Sequence, residues 1–206
     1  SGRVKGTVDP IVTHPRPGAV SVDACFGFAQ PAFSRGLPVA VAAARDCGVA
    51  SLAIGHAHTC TSLGYFTEQI ARKGLIGMGF TNASPIVAAP GGKTRVIGTN
   101  PIAFSVPDGK GGLAMQFDQS TSTVALGKIT MAKAAGQRIP EGWAVDANGQ
   151  TTTDPHQVAM LSPASGPKGA GLSLMIECLT SLFAFYPLIE YALETGAPRF
   201  GRPMNG

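Results

Sequence analysis

The sequence predicts a mixed α/β fold in which a partly antiparallel sheet carries flanking helices. Three observations predict it. Between residues 20 and 80, short β-rich runs alternate with helical apolar patterns, the order that builds an α/β layer. Between 95 and 117, two β-rich runs follow one another with no helical pattern between them, which predicts an antiparallel pair. Beyond 118, two apolar helical patterns each follow a polar turn.

The first 18 residues are rich in Pro and Gly and have no apolar period, so they are expected to form an arm rather than a core element. Residues 20–24 alternate as a strand. Residues 30–46 carry Phe33, Leu37, Val41 and Ala44 at helical spacing, with Gly48 placed to stop the helix. A strand is expected at 49–54, a helix at 61–72 ended by Gly74, and a strand at 75–80. The runs 95–106 and 112–117 are the antiparallel pair, with Asp108-Gly109 in the turn. A helix at 123–136, a short strand at 143–146 and a turn at Asn148-Gly149 follow. The segment 169–185 is a strongly apolar helix, and 188–194 is expected to be a separate, shorter one. Residues 198–206 form no recognisable finishing element, so the chain is expected to be an excerpt of a longer protein, truncated at both ends.

With 206 residues the chain can bury a real core. Charged residues are only 14% against 44% hydrophobic, which argues against disorder and implies a partly covered surface. The net charge is +4, but the basic residues are scattered and few aromatics accompany them, so nucleic acid is set aside. The most apolar stretch, 172–193, is broken by Glu177, Pro187 and Glu190, which argues against a membrane span. Cys25, Cys47, Cys60 and Cys178 form no CxxC pair, and no charged-then-apolar segment opens the chain; a cytoplasmic protein with reduced thiols is expected.

Two turns hold the most chemistry. Phe117-Asp118-Gln119-Ser120-Thr121-Ser122 reads as a strand end, a polar turn and a helix opening, where Asp118, Ser120, Thr121 and Ser122 can cap backbone N–H groups. Ser165-Gly166-Pro167-Lys168-Gly169 runs into the next helix and carries a lysine. Helix N-termini seat anions, so the pair suits a small molecule bearing phosphate or carboxylate. Gly55-His56-Ala57-His58-Thr59-Cys60 follows a strand, and its imidazoles can exchange a proton near neutral pH. A metal between these histidines finds no supporting H-E-x-x-H pattern. Glu177 is expected to be a solvated carboxylate at a helix edge, and Trp143 a packing residue. Neither G-x-G-x-x-G nor G-x-x-x-x-G-K-[ST] occurs, so Rossmann and P-loop readings have no motif support.

Taken in succession, Thr81-Asn82-Ala83-Ser84-Pro85, Gly91-Gly92, Gly98-Thr99-Asn100-Pro101, 117–122, Gly127-Lys128, Trp143-Ala144-Val145-Asp146, Thr152-Thr153-Asp154-Pro155 and Gly166-Pro167-Lys168-Gly169 resemble the type-2 malate/L-lactate dehydrogenase family, near its ureidoglycolate dehydrogenase and Δ1-piperideine-2-carboxylate/Δ1-pyrroline-2-carboxylate reductase branches. The resemblance implies a non-Rossmann nicotinamide-binding fold. It implies NAD or NADP as cofactor, hydride transfer to or from a small 2-oxo, 2-hydroxy or cyclic 2-imino acid, and a homodimer with no membrane or nucleic-acid partner. By position it implies cofactor contacts at Asp118, Gln119, Ser120 and Lys168, and at Ala83 through its backbone alone, since some members have a serine there. Thr59 stands where ureidoglycolate dehydrogenase has its acid/base histidine, and His58 lies one position earlier; either His58 reaches in or another group moves the proton, and His58 and Thr59 are the candidate catalytic positions. The Ser-His-Gly segment that family members usually carry upstream is not in this sequence. The implied organisation is a connecting arm, strand and helix at 1–48, a cofactor-binding core at 49–185 and the start of a C-terminal part at 186–206. The alternative is a non-catalytic fragment or paralogue that only binds cofactor or a full-length partner.

Overall fold

The computed structural model describes residues 4–195, with side chains described through residue 181. It divides into two compact units. One comprises Ser1–Thr59 with Ser181–Gly206, the other Cys60–Thr180. The segment 198–206 lies outside the described residues.

The first unit holds a three-stranded sheet, β1 (Ile11–Arg16), β2 (Ala19–Asp23) and β3 (Ser51–Gly55), in the order β1-β2-β3. β2 and β3 are parallel, joined by helix α1 (Ala29–Cys47), so the first βαβ rhythm of the sequence is a true crossover. Val20 and Val22 of β2 and Ala32 and Phe33 of α1 are buried where the two meet. Gly36 has no side chain because a Cβ there would strike Val22 and Leu52, so α1 lies close on the sheet. Gly48 ends α1 at φ 82°, the stop its position predicted. The opening arm needs correction. Residues 11–16 pair antiparallel with β2, and their Pro15 and mostly exposed side chains belong to an edge strand, whose weak period hid it.

The second unit holds two sheets. β4 (Gly77–Phe80), β7 (Ile102–Pro107) and β8 (Leu113–Gln119) run antiparallel in the order β4-β7-β8. Helix α2 (Gly64–Ala71) lies on one face, where Gly77 and Gly79 approach its Thr67 and Gly79 also meets Leu63 just before it. Strand alternation puts Ser105 and Gln116 on that same face and Met78, Phe104 and Phe117 in one row on the other. The continuous β-α-β-α-β layer is therefore corrected, because β4 pairs with β7 and not with β3. The hairpin turn between β7 and β8 is as predicted, with Asp108 Oδ1 accepting from the N–H groups of Lys110 at 2.7 Å and Gly112 at 2.8 Å.

The other sheet has the order β6-β5-β10-β9, from β5 (Val87–Ala88), β6 (Arg95–Ile97), β9 (Ala144–Val145) and β10 (Met160–Leu161). Its core of Val87, Ile97, Ala144 and Leu161 packs with Val124, Ile129 and Ile139, and Trp143 lies against it. Two-residue strands carry no readable period, which is why β5 and β10 were not foreseen. The single strand expected over 95–106 is two, β6 and β7, divided by the loop 98–101. Helix α3 covers Leu126–Ala134 and starts three residues later than expected. Helix α4 runs unbroken over Pro167–Thr195, so the two helices expected at 169–185 and 188–194 are one. Proline is not decisive in either long helix, since α1 likewise contains Pro38 and keeps its buried face.

Candidate functional site

β4, β7 and β8 present one common end to the loops that follow or precede them. Phe80 pairs with Ile102 and Ile102 with Gln119, so loops 81–86, 98–101 and 120–125 leave the sheet side by side. Thr121 donates both its N–H (2.9 Å) and its Oγ1 hydroxyl (3.0 Å) to the Thr99 carbonyl. Ser122 forms a bridge with Pro163, Thr123 N–H donates to the Ser162 carbonyl at 2.8 Å, and Ala164 N–H donates to the Thr121 carbonyl at 2.9 Å. This short antiparallel ladder joins the two turns singled out in the sequence. One turn enters it at 120 and the other leaves it at 165.

The second turn is built for a helix start. Ser165 (φ 52°) and Gly166 (φ 61°) reverse the chain in the left-handed region, and Pro167 takes the first helical position, where its missing N–H costs nothing. Gly169 packs its α-carbon against the Ala164 carbonyl oxygen and donates its N–H there at 2.9 Å. Ala170 N–H donates to Gly166. Lys168 is exposed at this N-terminus.

The first turn is built differently from the expectation. β8 continues through Gln119, so alternation sends the Asp118 side chain to the α2 face. Its Oδ2 accepts from Gly64 N–H at 2.7 Å and Ser62 Oγ at 3.0 Å, which caps α2 rather than the following helix. α3 begins after Ala125 with no side-chain cap. Ser120 and Ser122 are 3.1 Å apart, Oγ to Oγ, and Ser122 donates to the Val124 carbonyl, so the serines tighten their own turn. Gln119 is exposed at the end of β8. Ala83 donates its N–H to Asn100 Oδ1 at 3.0 Å, and its carbonyl oxygen faces the α-carbon of Gly98. Ala83, Asp118, Gln119, Ser120 and Lys168 all lie in the second unit, on or beside the loops that these bonds tie together.

His58 and Thr59 belong to the first unit. Both are exposed. His58 donates its N–H to the Gly27 carbonyl at 2.8 Å and sets its ring edge-on to Phe28. Two partnerships escaped the sequence reading. His56 Nδ1 lies 3.1 Å from Asp23 Oδ1 and its ring stacks on Phe26, with Cys25, Phe26 and His56 all at positive φ. Glu177 is corrected from a solvated edge residue, because its Oε2 accepts from Asn100 Nδ2 at 2.8 Å and its Oε1 from Asn82 Nδ2 at 3.2 Å. The signal for the first was spacing across a βαβ unit and for the second nearly eighty residues of separation, neither of which a local motif carries. Burial pushes the Cys60 thiol above its ordinary value, so it is held as the neutral thiol at neutral pH. Two open concavities, of 490 Å³ beside Pro38 and Cys47 and of 520 Å³ beside Arg138 and Asp154, lie outside the paired turns.

Comparison with known proteins adds the following. The family model described as malate/L-lactate dehydrogenase matches residues 1–198. (2R)-3-Sulfolactate dehydrogenase (NADP(+)) of Chromohalobacter salexigens is 43% identical, over 90% of this chain and 57% of its own length. Ureidoglycolate dehydrogenase (NAD(+)) of Escherichia coli O157:H7 is 40% identical, over 77% of this chain and 45% of its own. The crystal structure of delta1-piperideine-2-carboxylate reductase from Pseudomonas syringae pathovar tomato superposes with a TM-score of 0.83 at 37% identity, covering 87% of this chain and 55% of that one. The chain thus spans about half the length of the relatives it matches.

Proposed function

The chain belongs to the malate/L-lactate dehydrogenase family, and from that premise we propose that it is the nicotinamide-binding part of an NAD(P)H-dependent oxidoreductase. The proposed substrate is a small 2-oxo or 2-hydroxy acid, or a cyclic 2-imino acid. The observation that carries the reading is the ladder between 121–123 and 162–164, which brings the serine turn beside the lysine turn. The donor set fits such a cofactor. An exposed ammonium at the N-terminus of a 29-residue helix suits a phosphate or ribose, with the helix dipole favouring the anion.

In this reading Lys168 holds the phosphate or ribose, and Ser120 and Gln119 line the same edge. Asp118 spends one carboxylate oxygen on α2, and its second oxygen is the proposed acceptor for a ribose hydroxyl. Ala83 contributes its methyl group and its place in the loop, since its N–H is used by Asn100. The chemistry the bound cofactor supplies is hydride transfer at the substrate C2. His58, with Thr59 beside it, is the proposed group that gives or takes the accompanying proton. The substrates in the names of the relatives are small carboxylates, which supports the substrate class. The same names divide between NADP and NAD, so either nucleotide is proposed. The exposed row of Met78, Met115 and Phe117 on the face away from α2 supports a homodimer. The four cysteines form no disulfide, which supports a reducing, cytoplasmic setting.

Lys168→Ala in the whole protein tests the reading. Its affinity for NADH and NADPH, by fluorescence titration, is expected to fall by about 1–3 kcal/mol, the range for losing a hydrogen bond to a charged group. Unchanged affinity removes Lys168 from the site. A wild-type protein that binds neither nucleotide, and oxidises neither with pyruvate, oxaloacetate or Δ1-piperideine-2-carboxylate, removes the function.

A further inference from the structure

Asn100 is fully buried at φ 21° between Thr99 and Pro101. Three of its amide's four hydrogen-bonding directions are filled. Oδ1 accepts from the Ala83 N–H, and Nδ2 donates to the Ser173 carbonyl at 3.0 Å and to Glu177 Oε2 at 2.8 Å. Glu177 reaches back with its other oxygen to Asn82. The residues just before Asn100 bind outward too. Thr99 supplies the carbonyl that Thr121 grips twice, and Gly98 supplies the carbonyl that takes the Ser173 hydroxyl at 3.2 Å. One three-residue segment therefore meets loop 81–84, turn 120–122 and helix α4 together. Ser173 is five residues past Lys168, about 7.5 Å along the helix. A buried amide gains nothing over an aliphatic side chain for filling space, and left unsatisfied it costs stability. What three directed bonds add is a fixed relative position.

We propose that Asn100 and Glu177 form a positioning clasp that holds loop 81–84 and turn 120–122 in register with the Lys168 end of α4, and so sets the affinity for the nicotinamide cofactor. The proposal rests on the nicotinamide reading above. Neither residue is a catalytic residue here. The clasp acts through the loops, in the way a supporting shell fixes a binding constellation to within a fraction of an ångström.

The test uses four variants of the whole protein, Asn100→Asp, Glu177→Gln, Asn100→Asp with Glu177→Gln, and Asn82→Ala, with the Kd for NADH and NADPH by fluorescence titration, kcat at saturating cofactor, and the thermal midpoint. Asn100→Asp keeps an acceptor for the Ala83 N–H but sets two carboxylates face to face. It is expected to raise Kd by about tenfold, with kcat held within about twofold, the split expected when binding alone is lost. Glu177→Gln on that background returns a donor to the pair but leaves the new carboxylate against the Ser173 carbonyl, so it is expected to recover part of the affinity. Asn82→Ala removes one exposed bond, and Glu177→Gln alone weakens another, so each is expected to raise Kd by about two- to fivefold, an order set by the net worth of one hydrogen bond. A merely structural pair would lower the thermal midpoint and leave Kd alone. Wild-type Kd in Asn100→Asp and Asn82→Ala overturns the clasp. Should Asn100→Asp fail to fold, wild-type Kd in both Asn82→Ala and Glu177→Gln overturns it equally. Absence of nucleotide binding by the wild type overturns the cofactor reading itself, and the clasp falls with it.

Discussion

Asp118 gives the sharpest test of how this fold is held, because two roles meet on one carboxylate. Its Oδ2 caps α2 through Gly64 N–H at 2.7 Å and Ser62 Oγ at 3.0 Å. The N-cap residue of α2 is Leu63, and Asp118 serves as its cap from across the fold; by analogy with removing an N-cap side-chain acceptor, its loss costs about 0.5–2 kcal/mol, typically about 1. The Ser62 bond is exposed and adds little. The Gly64 bond is part-buried, so water replaces the lost carboxylate only in part. Asp118→Ala is therefore expected to cost about 1–2 kcal/mol. For a cooperative unit the size of Cys60–Thr180, with an unfolding entropy of about 2 cal/mol/K per residue, that lowers the thermal midpoint by about 4–8 °C. Asp118→Asn keeps an oxygen of the same reach and is expected to hold most of the midpoint. Paired calorimetry and nucleotide titration separate the roles. If Asp118 also meets the cofactor, Asp118→Asn keeps its midpoint and loses affinity. A wild-type midpoint in Asp118→Ala would refute the capping argument, since it would mean the short bond to Gly64 carries no stability.

Other perturbations have equally definite outcomes. Gly169→Ala places a Cβ well inside van der Waals contact with the Ala164 carbonyl oxygen and is expected to cost about 1–3 kcal/mol, read as a lowered denaturation midpoint. Asp108 is held below the ordinary aspartate range, first by the Lys110 N–H and then by that of Gly112. Its contribution is complete above its unfolded value of about 3.9 and is lost as pH falls through the lower folded value, so its carboxyl resonance should titrate below that of an unfolded peptide, and Asp108→Ala should abolish the acid-dependent part of the hairpin's stability. If the whole protein has the proposed activity, His58→Ala is expected to remove a limb of its pH–rate profile, while His56→Ala, whose ring is occupied with Asp23, leaves the profile in place; an unaltered profile in His58→Ala makes His58 a bystander.

Much of this protein was readable along the chain because its determinants are local. Phe33, Leu37 and their helical spacing give α1, and Gly48 at φ 82° ends it, since a helix period and a left-handed stop depend on neighbours a few residues away. The β7–β8 hairpin was legible for the same reason, with Asp108 and the glycines after it making a turn whose bonds all fall within four residues. The turn-rich motif order also carried the family, which the family match over residues 1–198 bears out. Position in space was another matter. Asp118 faces α2 because β8 runs two residues further than its polarity suggested, and strand alternation decides the face only once the strand's end is known. Asn100 and Glu177 meet across 77 residues. Their bond exists only because a buried amide must find partners wherever the fold brings them, and no spacing rule reaches that far.

Local chemistry thus determined the helices, the turns and which segments were rich in ligand-binding groups. Tertiary structure alone decided which of those groups remain available. The N–H of Ala83 and one oxygen of Asp118 are spent on the scaffold, while Lys168 stays exposed at its helix end. The physical reason is that hydrogen-bond capacity is finite, and only the assembled neighbourhood determines where each donor and acceptor is used.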